Sequence, residues 1–427
     1  MKRKIVFFII LIFLLLNCAG SNGTYFTLIP IEKEIELGKI YIFPSIDQYE
    51  GLYPEKEVQK YISSIGYKLS SYTSRKLPYK FYIVNSSQIN AFALPGGPVL
   101  ITRGLFLILD NESQLVGVLA HELGHINYRH HVKILEKNIA LGLLLQIGSV
   151  FLPQNLTGEL LFNLGKISVA LLRLKFSRDQ EREADKFAVL LAIKTGYSPQ
   201  GMLEVLQKFK KMEKTHPPEW LSTHPLPETR IKELKIYLST LKPSGYLIKD
   251  TQKFHKIKKL VLKTKKSYEY VDKGKKVFKK EKFDIAEKLF LKAVKLYPKN
   301  TVAHTYLSFI YLKKKNLQKA KKHIDMAIKY DPQFYTANLL GGIIYFELNN
   351  LSEALALFKK SKELIPYKGV SYYYIGRIYE KRKNYDLAKN YYKKALELGP
   401  KDSKWYKDCQ NRYNRLIYLN DNRPFTF

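Results

Sequence analysis

A repeat of 34 residues in the second half of the chain constrains the fold more than any other feature of the sequence. Small residues recur in three registers and proline recurs in a fourth. The registers are Gly274, Ser308, Gly342 and Gly376; Ala286, Ala320, Ala354 and Ala388; Ala293, Ala327, Ser361 and Ala395; and Pro298, Pro332, Pro366 and Pro400. Small side chains let two helices approach closely where they cross, and a proline ends a helix. The pattern therefore predicts four stacked pairs of helices.

This period and these residue types are typical of tetratricopeptide repeats, which stack into a solenoid. We assign four repeats to residues 267–402 and a C-terminal capping helix to residues 403–427. Because the concave face of a solenoid suits peptides and protein partners, this half of the chain is predicted to select partners.

The first half of the chain has the composition of a mixed α/β domain over residues 31–245. Residues 79–84 are predicted to form a strand, and residues 90–102 to form two strands around a Pro-Gly-Gly-Pro turn. A lysine-rich linker, residues 246–266, is predicted before the repeats. The predicted fold class is therefore mostly α, with an α+β domain followed by an α-solenoid.

Two helices of this domain begin with a recognisable cap. Asn111 and Ser177 are each followed three residues later by glutamine, which is a capping-box arrangement. The first helix is predicted to run from Asn111 through His131, and the second from Ser177 to Gly196. Both helices carry candidate metal ligands.

The first 17 residues have the composition of an export signal. A basic start precedes twelve apolar residues, Ile5–Leu16, whereas a membrane-spanning helix needs about 20. The segment that ends at Cys18 resembles a bacterial lipobox, so Cys18 is predicted to carry lipid and to begin a flexible tether, residues 18–30. Ordinary cleavage near Ala19 is the alternative. The predicted location is the bacterial cell envelope, on the periplasmic side, with a lipid anchor in the membrane.

The net charge of +34 favours anionic lipid, acidic protein or nucleic acid as partners, unless the lysines only solvate helix surfaces. No arginine-rich arm or zinc knuckle points to nucleic acid, so nucleic acid is not expected as a partner. Cys409 is the only cysteine besides Cys18, so a disulfide framework is not expected.

The segment His121-Glu122-Leu123-Gly124-His125 is the H-E-x-x-H pattern on a predicted helix. Residues four apart lie on one helical face, so both imidazoles can reach one metal ion, and Glu122 can contact a water on that ion. Glu181 and Asp185 are also four apart, on the second capped helix. Glu181 would complete a His₂Glu site for one Zn²⁺, and Asp185 would accept the spare N–H of a ligand histidine.

Three segments in this order carry a resemblance to a known family. They are Asn90-Ala91-Phe92-Ala93-Leu94-Pro95-Gly96-Gly97, the H-E-x-x-H helix, and Ser177-Arg178-Asp179-Gln180-Glu181-Arg182-Glu183-Ala184-Asp185. His224-Pro225 and Arg230 match a later motif. Residues 50–240 thus resemble the HtpX and CAAX prenyl-protease family of zinc metallopeptidases, and the resemblance implies a zincin-type domain.

The resemblance also implies roles for individual residues. His121, His125 and Glu181 are similar to the zinc ligands of the family, and Glu122 is similar to its general base. The segment Asn90–Gly97 is similar to an edge strand that pairs with an extended substrate.

Two further residues carry roles that the resemblance implies. His224 is similar to a histidine that takes a fourth zinc position or contacts substrate, although a buried or helix-capping histidine is the alternative. Arg230 is similar to a residue that contacts substrate or the transition state.

His130 and His131 are predicted to lie at the surface or behind the ligands, and Glu183 to be solvated.

The predicted function is hydrolysis of peptide bonds in unfolded or misassembled envelope proteins, by a zinc endopeptidase whose repeats recruit clients or assembly partners. The outer-membrane assembly machinery is one candidate partner. The alternative is a lipoprotein scaffold, or a chaperone that uses the repeats and carries a latent protease site.

Overall fold

The structure is a computed structural model that describes residues 27–145 and 175–421. The predicted signal peptide, Cys18 and most of the predicted tether lie outside the described residues. Within the described ranges, no helix has both the length and the apolar character that crossing a membrane requires.

The first part of the chain contains a small sheet among helices. Its elements are α1 (Ile31–Gln48), α2 (Lys56–Ser70), β1 (Lys80–Val84), β2 (Ala91–Ala93), β3 (Pro98–Thr102), α3 (Arg103–Ile108), α4 (Glu112–Asn127), α5 (His130–Leu145), α6 (Arg178–Lys194), α7 (Gln200–Met212) and α8 (Glu228–Thr240), with a 3-10 turn at Glu219–Ser222.

The second part is entirely helical. It contains α9 (Gln252–Phe278), α10 (Phe283–Leu296), α11 (Thr301–Lys313), α12 (Leu317–Tyr330), α13 (Tyr335–Glu347), α14 (Leu351–Leu364), α15 (Gly369–Lys381), α16 (Tyr385–Leu398) and α17 (Lys404–Asp421). The pairs α9–α10, α11–α12, α13–α14 and α15–α16 pack as the four predicted helix pairs, and α17 packs on α16.

The strand order is β1-β3-β2, so β2 is an edge strand. β1 runs parallel to β3, and β2 runs antiparallel to it with Phe92 opposite Leu100. The predicted strands and the turn between β2 and β3 are confirmed. Gly96 and Gly97 take positive φ angles of 76° and 126° in that turn, where a residue with a Cβ would be strained.

The helix that carries H-E-x-x-H is shorter than predicted. α4 ends at Asn127, and Arg129 then takes a positive φ of 57°, a conformation that cannot continue a right-handed helix. A separate helix, α5, begins at His130. This break changes the position of His130 and His131 relative to the motif.

Most of the segment predicted to be a linker is part of a packed helix. α9 begins at Gln252 and buries Phe254, Ile257 and Val261, while the lysines between them face outward. The buried residues pack into the same core as residues of α2 and α4. Composition alone suggested a linker because the exposed lysines outnumber the buried apolar positions.

The two parts of the chain share hydrogen bonds as well as a core. The Tyr268 hydroxyl donates to Asn85 Oδ1 over 2.5 Å, and Asn85 Nδ2 donates to Thr301 Oγ1 over 3.1 Å. Asp331 Oδ2 accepts the backbone N–H of Leu52 over 2.6 Å. The repeats are therefore docked on the first domain.

Candidate metal centre

α4 is buried along almost its whole length, from Glu112 to Ile126. Its first turn is capped by Asn111, whose side chain accepts the Gln114 N–H. Gly117 allows a close approach of α7, because a Cβ there would lie 2.6 Å from the Met202 nitrogen. The helix that carries His121, Glu122 and His125 is thus held in the centre of the domain.

α6 supplies the acidic side of the site. Ser177 and Gln180 form the complete capping box that the sequence predicts. α6 crosses α4 at Gly124, where an added Cβ would lie 3.0 Å from the Cα of Ala184. This close crossing brings Glu181 and Asp185 beside the two histidines of α4.

Four side chains converge on one point. The ligand atoms of His121, His125, Glu181 and His224 all lie within 4.8 Å of one another, and all four side chains are buried. The two Nε2 atoms of His121 and His125 are 3.0 Å apart. Glu181 Oε2 is 3.7 Å from His121 Nε2, and Oε1 is 3.5 Å from His125 Nε2.

These residues fit a metal ion. Burial lowers the pKa of His121, His125 and His224, so each ring is neutral and offers a lone pair. Among the described residues, Glu181 Oε1 and His224 Nε2 have no hydrogen-bond partner although both are buried. An unpaired buried polar atom costs about 1–3 kcal/mol, and an ion at this point would remove that cost. Nitrogen and carboxylate ligands of this kind suit zinc.

Behind His121 lies a buried pair of opposite charges. Asp185 Oδ1 is 3.0 Å from His121 Nδ1, and Arg230 donates to both Asp185 oxygens over 2.6 and 2.8 Å. Burial alone would raise the pKa of Asp185, but Arg230 and His121 outweigh it and lower that pKa to about 2. Asp185 is therefore held ionised beside His121, where it can accept the Nδ1–H of that ring.

Arg230 pairs with the acidic residues of the site. Its guanidinium is buried, pairs with Glu181 as well as Asp185, and donates to the Pro225 carbonyl over 3.1 Å. The donors of Arg230 therefore face the carboxylates of the site.

Behind His125 lies a different partner. His125 Nδ1 is 2.9 Å from His130 Nδ1, and His130 Nε2 is 2.9 Å from Glu183 Oε2. His130 and His131 are both buried, so of the two predicted positions the surface is excluded, and His130 lies behind the candidate ligand His125. The Phe176 ring stacks on the His125 ring with centroids 3.8 Å apart.

Glu122 is also completely buried. The indole Nε1 of Trp220 donates to Glu122 Oε1 over 3.1 Å. Burial raises the pKa of Glu122 to about 7, although the Trp220 N–H, the Ala93 backbone and Arg230 each oppose the rise. A carboxylate with this pKa can both accept and return a proton near neutral pH.

His224 lies on the segment that covers the site. Its Nδ1 is 2.8 Å from Thr223 Oγ1, and its Nε2 is 3.7 Å from Glu122 Oε1. The rings of His224 and Trp220 stack with centroids 4.2 Å apart. The segment 220–224 thus closes the site from one side.

The predicted edge segment lies next to the candidate base. The backbones of Asn90 and Leu94 hydrogen-bond to β3, the other strand of the pair, and Phe92 lies opposite β3 between them. Because backbone groups alternate in direction along a strand, those of Ala91 and Ala93 point away from β3. Asn90 is held by a 2.8 Å hydrogen bond from its Nδ2 to the Tyr49 hydroxyl.

The contacts of Trp220 and Phe176 with the site have no signal in the sequence, because tertiary packing brings both residues in. His130, which was predicted to lie at the surface or behind the ligands, reaches His125 through the break between α4 and α5. A lone tryptophan or phenylalanine far from the motif carries no spacing that would indicate its contact with Glu122 or His125.

Comparison with known proteins supports the assignment of the domain. The model of peptidase family M48 matches residues 54–237. Residues 54–237 form a peptidase family M48 domain. Tetratricopeptide-repeat models match residues 289–322, 310–368 and 370–402, downstream of the M48 domain. Both results confirm the predicted family resemblance and the predicted repeats.

Several curated proteins are similar to this chain. The beta-barrel assembly-enhancing protease of Yersinia pestis is 33% identical over 223 residues, which are 50% of this chain and 45% of that protein. The protein of the same name from Escherichia coli K12 is 32% identical over 226 residues, with the same coverage. A mitochondrial metalloendopeptidase of Arabidopsis thaliana is 31% identical over 158 residues, 37% of this chain and 31% of that protein. The chain matches less than half the length of each of these relatives.

Two solved structures are similar to part of this chain. MamA from Desulfovibrio magneticus has a TM-score of 0.31 at 14% identity and covers 37% of this chain and 97% of its own. A thermophilic repeat protein of Thermus thermophilus has a TM-score of 0.30 at 20% identity, over 37% of this chain and 84% of its own.

Proposed function

We propose that this chain is a zinc-dependent endopeptidase that cleaves extended segments of unfolded or misassembled cell-envelope proteins. The observation that carries the proposal is the convergence of His121, His125 and Glu181 within 4.8 Å, next to Glu122, in an M48 domain. The repeats that follow the domain are proposed to bind clients or assembly partners.

We assign zinc to the nitrogens of His121 and His125 and to the Glu181 carboxylate. When bound, zinc would supply Lewis acidity, which polarises a peptide carbonyl and makes water more acidic. His224 is the candidate for a fourth ligand, in exchange for water or substrate. Asp185 and His130 would hold the two ligand rings in the orientation that binding requires.

Glu122 is the proposed general base. It would accept a proton from the water that attacks the peptide carbonyl, and then return that proton to the leaving amine as the C–N bond breaks. The pKa of about 7 suits both transfers at neutral pH. Burial of the carboxylate also keeps bulk water from competing for the proton.

The substrate is proposed to bind as an added strand. The backbone groups of Ala91 and Ala93 do not pair with β3, both residues are buried in this closed form, and the Ala93 backbone lies close enough to Glu122 to lower its pKa. A peptide paired there would pass beside the candidate base. Only an extended, unfolded segment can pair in this way.

The proposed location is the cell envelope, on the periplasmic side, with a lipid on Cys18. The support is the composition of residues 1–18 and the names of the bacterial relatives, which are beta-barrel assembly-enhancing proteases. By the same analogy, the outer-membrane assembly machinery is a candidate partner of the repeats.

A latent form of the enzyme is the second candidate, and the closed site favours it. Trp220 and His224 cover Glu122, and every candidate ligand is buried. In that form the repeats would act as a chaperone or scaffold until the segment 220–224 moves. Binding of an unfolded protein without cleavage by the wild-type chain would support this reading.

Zinc content is the first test, because it does not depend on latency. We expect about one zinc per wild-type chain and its loss in Glu181→Ala. Folded wild-type protein that remains zinc-free in metal-replete buffer would rule out the proposal.

Glu122→Gln separates the base from the metal site. We expect this variant to retain zinc and to lose cleavage of an unfolded substrate, because an amide cannot accept the proton from water. Cleavage at the wild-type rate by Glu122→Gln would exclude Glu122 as the general base.

A further inference from the structure

We infer that His130 is a positioning residue for the candidate ligand His125, and that Glu183 holds His130 in place. The inference rests on the proposed function, because it takes His125 to be a zinc ligand. It gives a role to His130 and Glu183, which are not part of the H-E-x-x-H motif.

The hydrogen bonds allow only one arrangement of protons. If His125 offers its Nε2 lone pair to zinc, its proton is on Nδ1, which is 2.9 Å from His130 Nδ1. His130 must then accept at Nδ1 and carry its own proton on Nε2. That Nε2 is 2.9 Å from Glu183 Oε2, which accepts the proton. Every donor in the chain of three residues therefore has an acceptor.

The break between α4 and α5 makes this contact possible. In a continuous helix, His130 would lie five residues after His125 and about 140° away around the helix axis. The left-handed conformation of Arg129 reverses the chain and brings the His130 ring to 5.0 Å from the His125 ring. The Arg129 side chain holds this turn through hydrogen bonds to Glu34 and to the Ile29 carbonyl.

The two ligand histidines are consequently oriented in different ways. His121 faces Asp185, a carboxylate that is buried and paired with Arg230. His125 faces a neutral imidazole, which is anchored by a carboxylate whose side chain is 51% exposed. The orientation of His125 therefore depends on a surface residue that can be changed without disturbing the core.

The test is the zinc affinity of the full chain, measured by competition with a chelator. We expect His130→Phe to weaken affinity roughly 10- to 100-fold, the usual effect of losing such a partner. His130→Gln should restore part of the affinity, because its amide can accept from one neighbour and donate to the other. Glu183→Gln should weaken affinity less than His130→Phe, because the amide oxygen still accepts from His130 Nε2.

His131→Phe is the matched control. His131 is also buried and contacts Phe176 edge-on at 4.9 Å, but its ring is 6.2 Å from the His125 ring. We expect it to keep wild-type affinity within about threefold. Equal weakening by His131→Phe and His130→Phe would mean that only packing matters, and would overturn the inference.

Two further outcomes separate this inference from the proposed function. A wild-type chain that binds no zinc would contradict both. A wild-type chain that binds zinc, with His130→Phe binding equally tightly, would contradict only the role of His130. If His130→Phe fails to fold, Glu183→Ala decides the matter, because its half-exposed side chain can be removed safely. Unchanged zinc affinity in Glu183→Ala would then overturn the inference.

Discussion

The indole of Trp220 is the residue-scale feature that bears most directly on Glu122. Its N–H lies 3.1 Å from Glu122 Oε1, and a hydrogen bond to a carboxylate stabilises the ionised form. Burial acts in the opposite direction and dominates, so the pKa of Glu122 is about 7. The proposed base is thus balanced between two opposing effects, and one of them can be removed by a single substitution.

In a plot of cleavage rate against pH, Trp220→Phe should shift the acidic limb, where the rate rises with pH, to higher pH. Loss of the N–H raises the pKa of Glu122, and catalysis needs the ionised carboxylate. A hydrogen bond worth about 1 kcal/mol corresponds to a shift of about 0.7 pH unit. The measurement is the rate of peptide cleavage between pH 5 and 9.

Phe209→Leu is the control for lost packing. Phe209 is buried, and its ring is 5.2 Å from the Trp220 ring. It should lower stability without moving the acidic limb. If the acidic limb of Trp220→Phe lay at the same pH as that of the wild type, the indole of Trp220 would not be bonded to Glu122 in the active form.

At this scale, two helical patterns in the sequence predict which residues converge. His121, Glu122 and His125 follow from helical spacing, and Glu181 follows from a second acidic helix with its own cap. Trp220 could not be predicted, because its contact depends on how a loop folds back. For His130 the sequence left the surface and a position behind the ligands open, because the break between α4 and α5 decides between them. The pairing of Arg230 with two buried carboxylates was not predicted either; its predicted contact with substrate or the transition state stays a prediction.

The helix pairs of the repeats show an internal correlation between two positions. Where the eighth residue of a repeat is glycine, the residue sixteen positions later is aromatic. The pairs are Gly274 with Phe290, Gly342 with Phe358, and Gly376 with Tyr392. A Cβ at each of these glycines would lie 2.6 Å from the aromatic ring. The second repeat has Ser308 and the smaller Ile324 at these positions.

Gly342→Ser should therefore destabilise the repeats, while Gly342→Ser with Phe358→Ile should recover part of the loss. Crowding a packed contact costs about 1–3 kcal/mol, and the smaller isoleucine makes room for the serine. The measurement is urea unfolding of both variants and of Phe358→Ile alone. If the changes in unfolding free energy of the two single variants simply added up in the double variant, steric coupling between these positions would be contradicted.

At the scale of elements, the 34-residue period predicted the number and order of the helix pairs. The period is strong evidence because the small residues lie where the helices touch. The composition of residues 246–266 was misleading, because lysines on the outer face of α9 hide three buried apolar residues. The end of α4 was missed because Arg129 is not a residue type that marks a left-handed position.

Two aspartates connect the first domain with the second and third repeats. Asp331 of the repeats accepts the Leu52 N–H over 2.6 Å, and Asp47 of the first domain accepts the Thr336 N–H over 2.8 Å. Burial raises the pKa of Asp331 to about 7, although the N–H groups of Leu52 and Gln333 oppose the rise. Docking of the two parts is therefore sensitive to pH.

Asp331→Asn should flatten the pH dependence of stability between pH 5 and 7. An unfolded aspartate has a pKa of about 3.9, so in this range only the folded chain keeps the proton on Asp331. Raising the pH then lowers the wild-type free energy of unfolding by up to about 1.4 kcal/mol per pH unit, and the asparagine variant lacks this loss. The measurement is urea unfolding of both proteins at pH 5, 6 and 7.

Asp386→Asn is the control, because its side chain is 73% exposed. It should follow the wild-type slope. A constant difference in stability between wild type and Asp331→Asn at all three pH values would contradict the raised pKa.

The contact of Asp47 with Thr336 also limits how the repeat array can change in length. α13 has no side-chain cap of its own, and its second residue is bonded instead by a carboxylate from the other domain. Inserting or duplicating a repeat before α13 would carry Thr336 away from Asp47 and Asp331 away from Leu52. Growth of the array by duplication therefore leaves both contacts in place only beyond the third repeat, at the distal end.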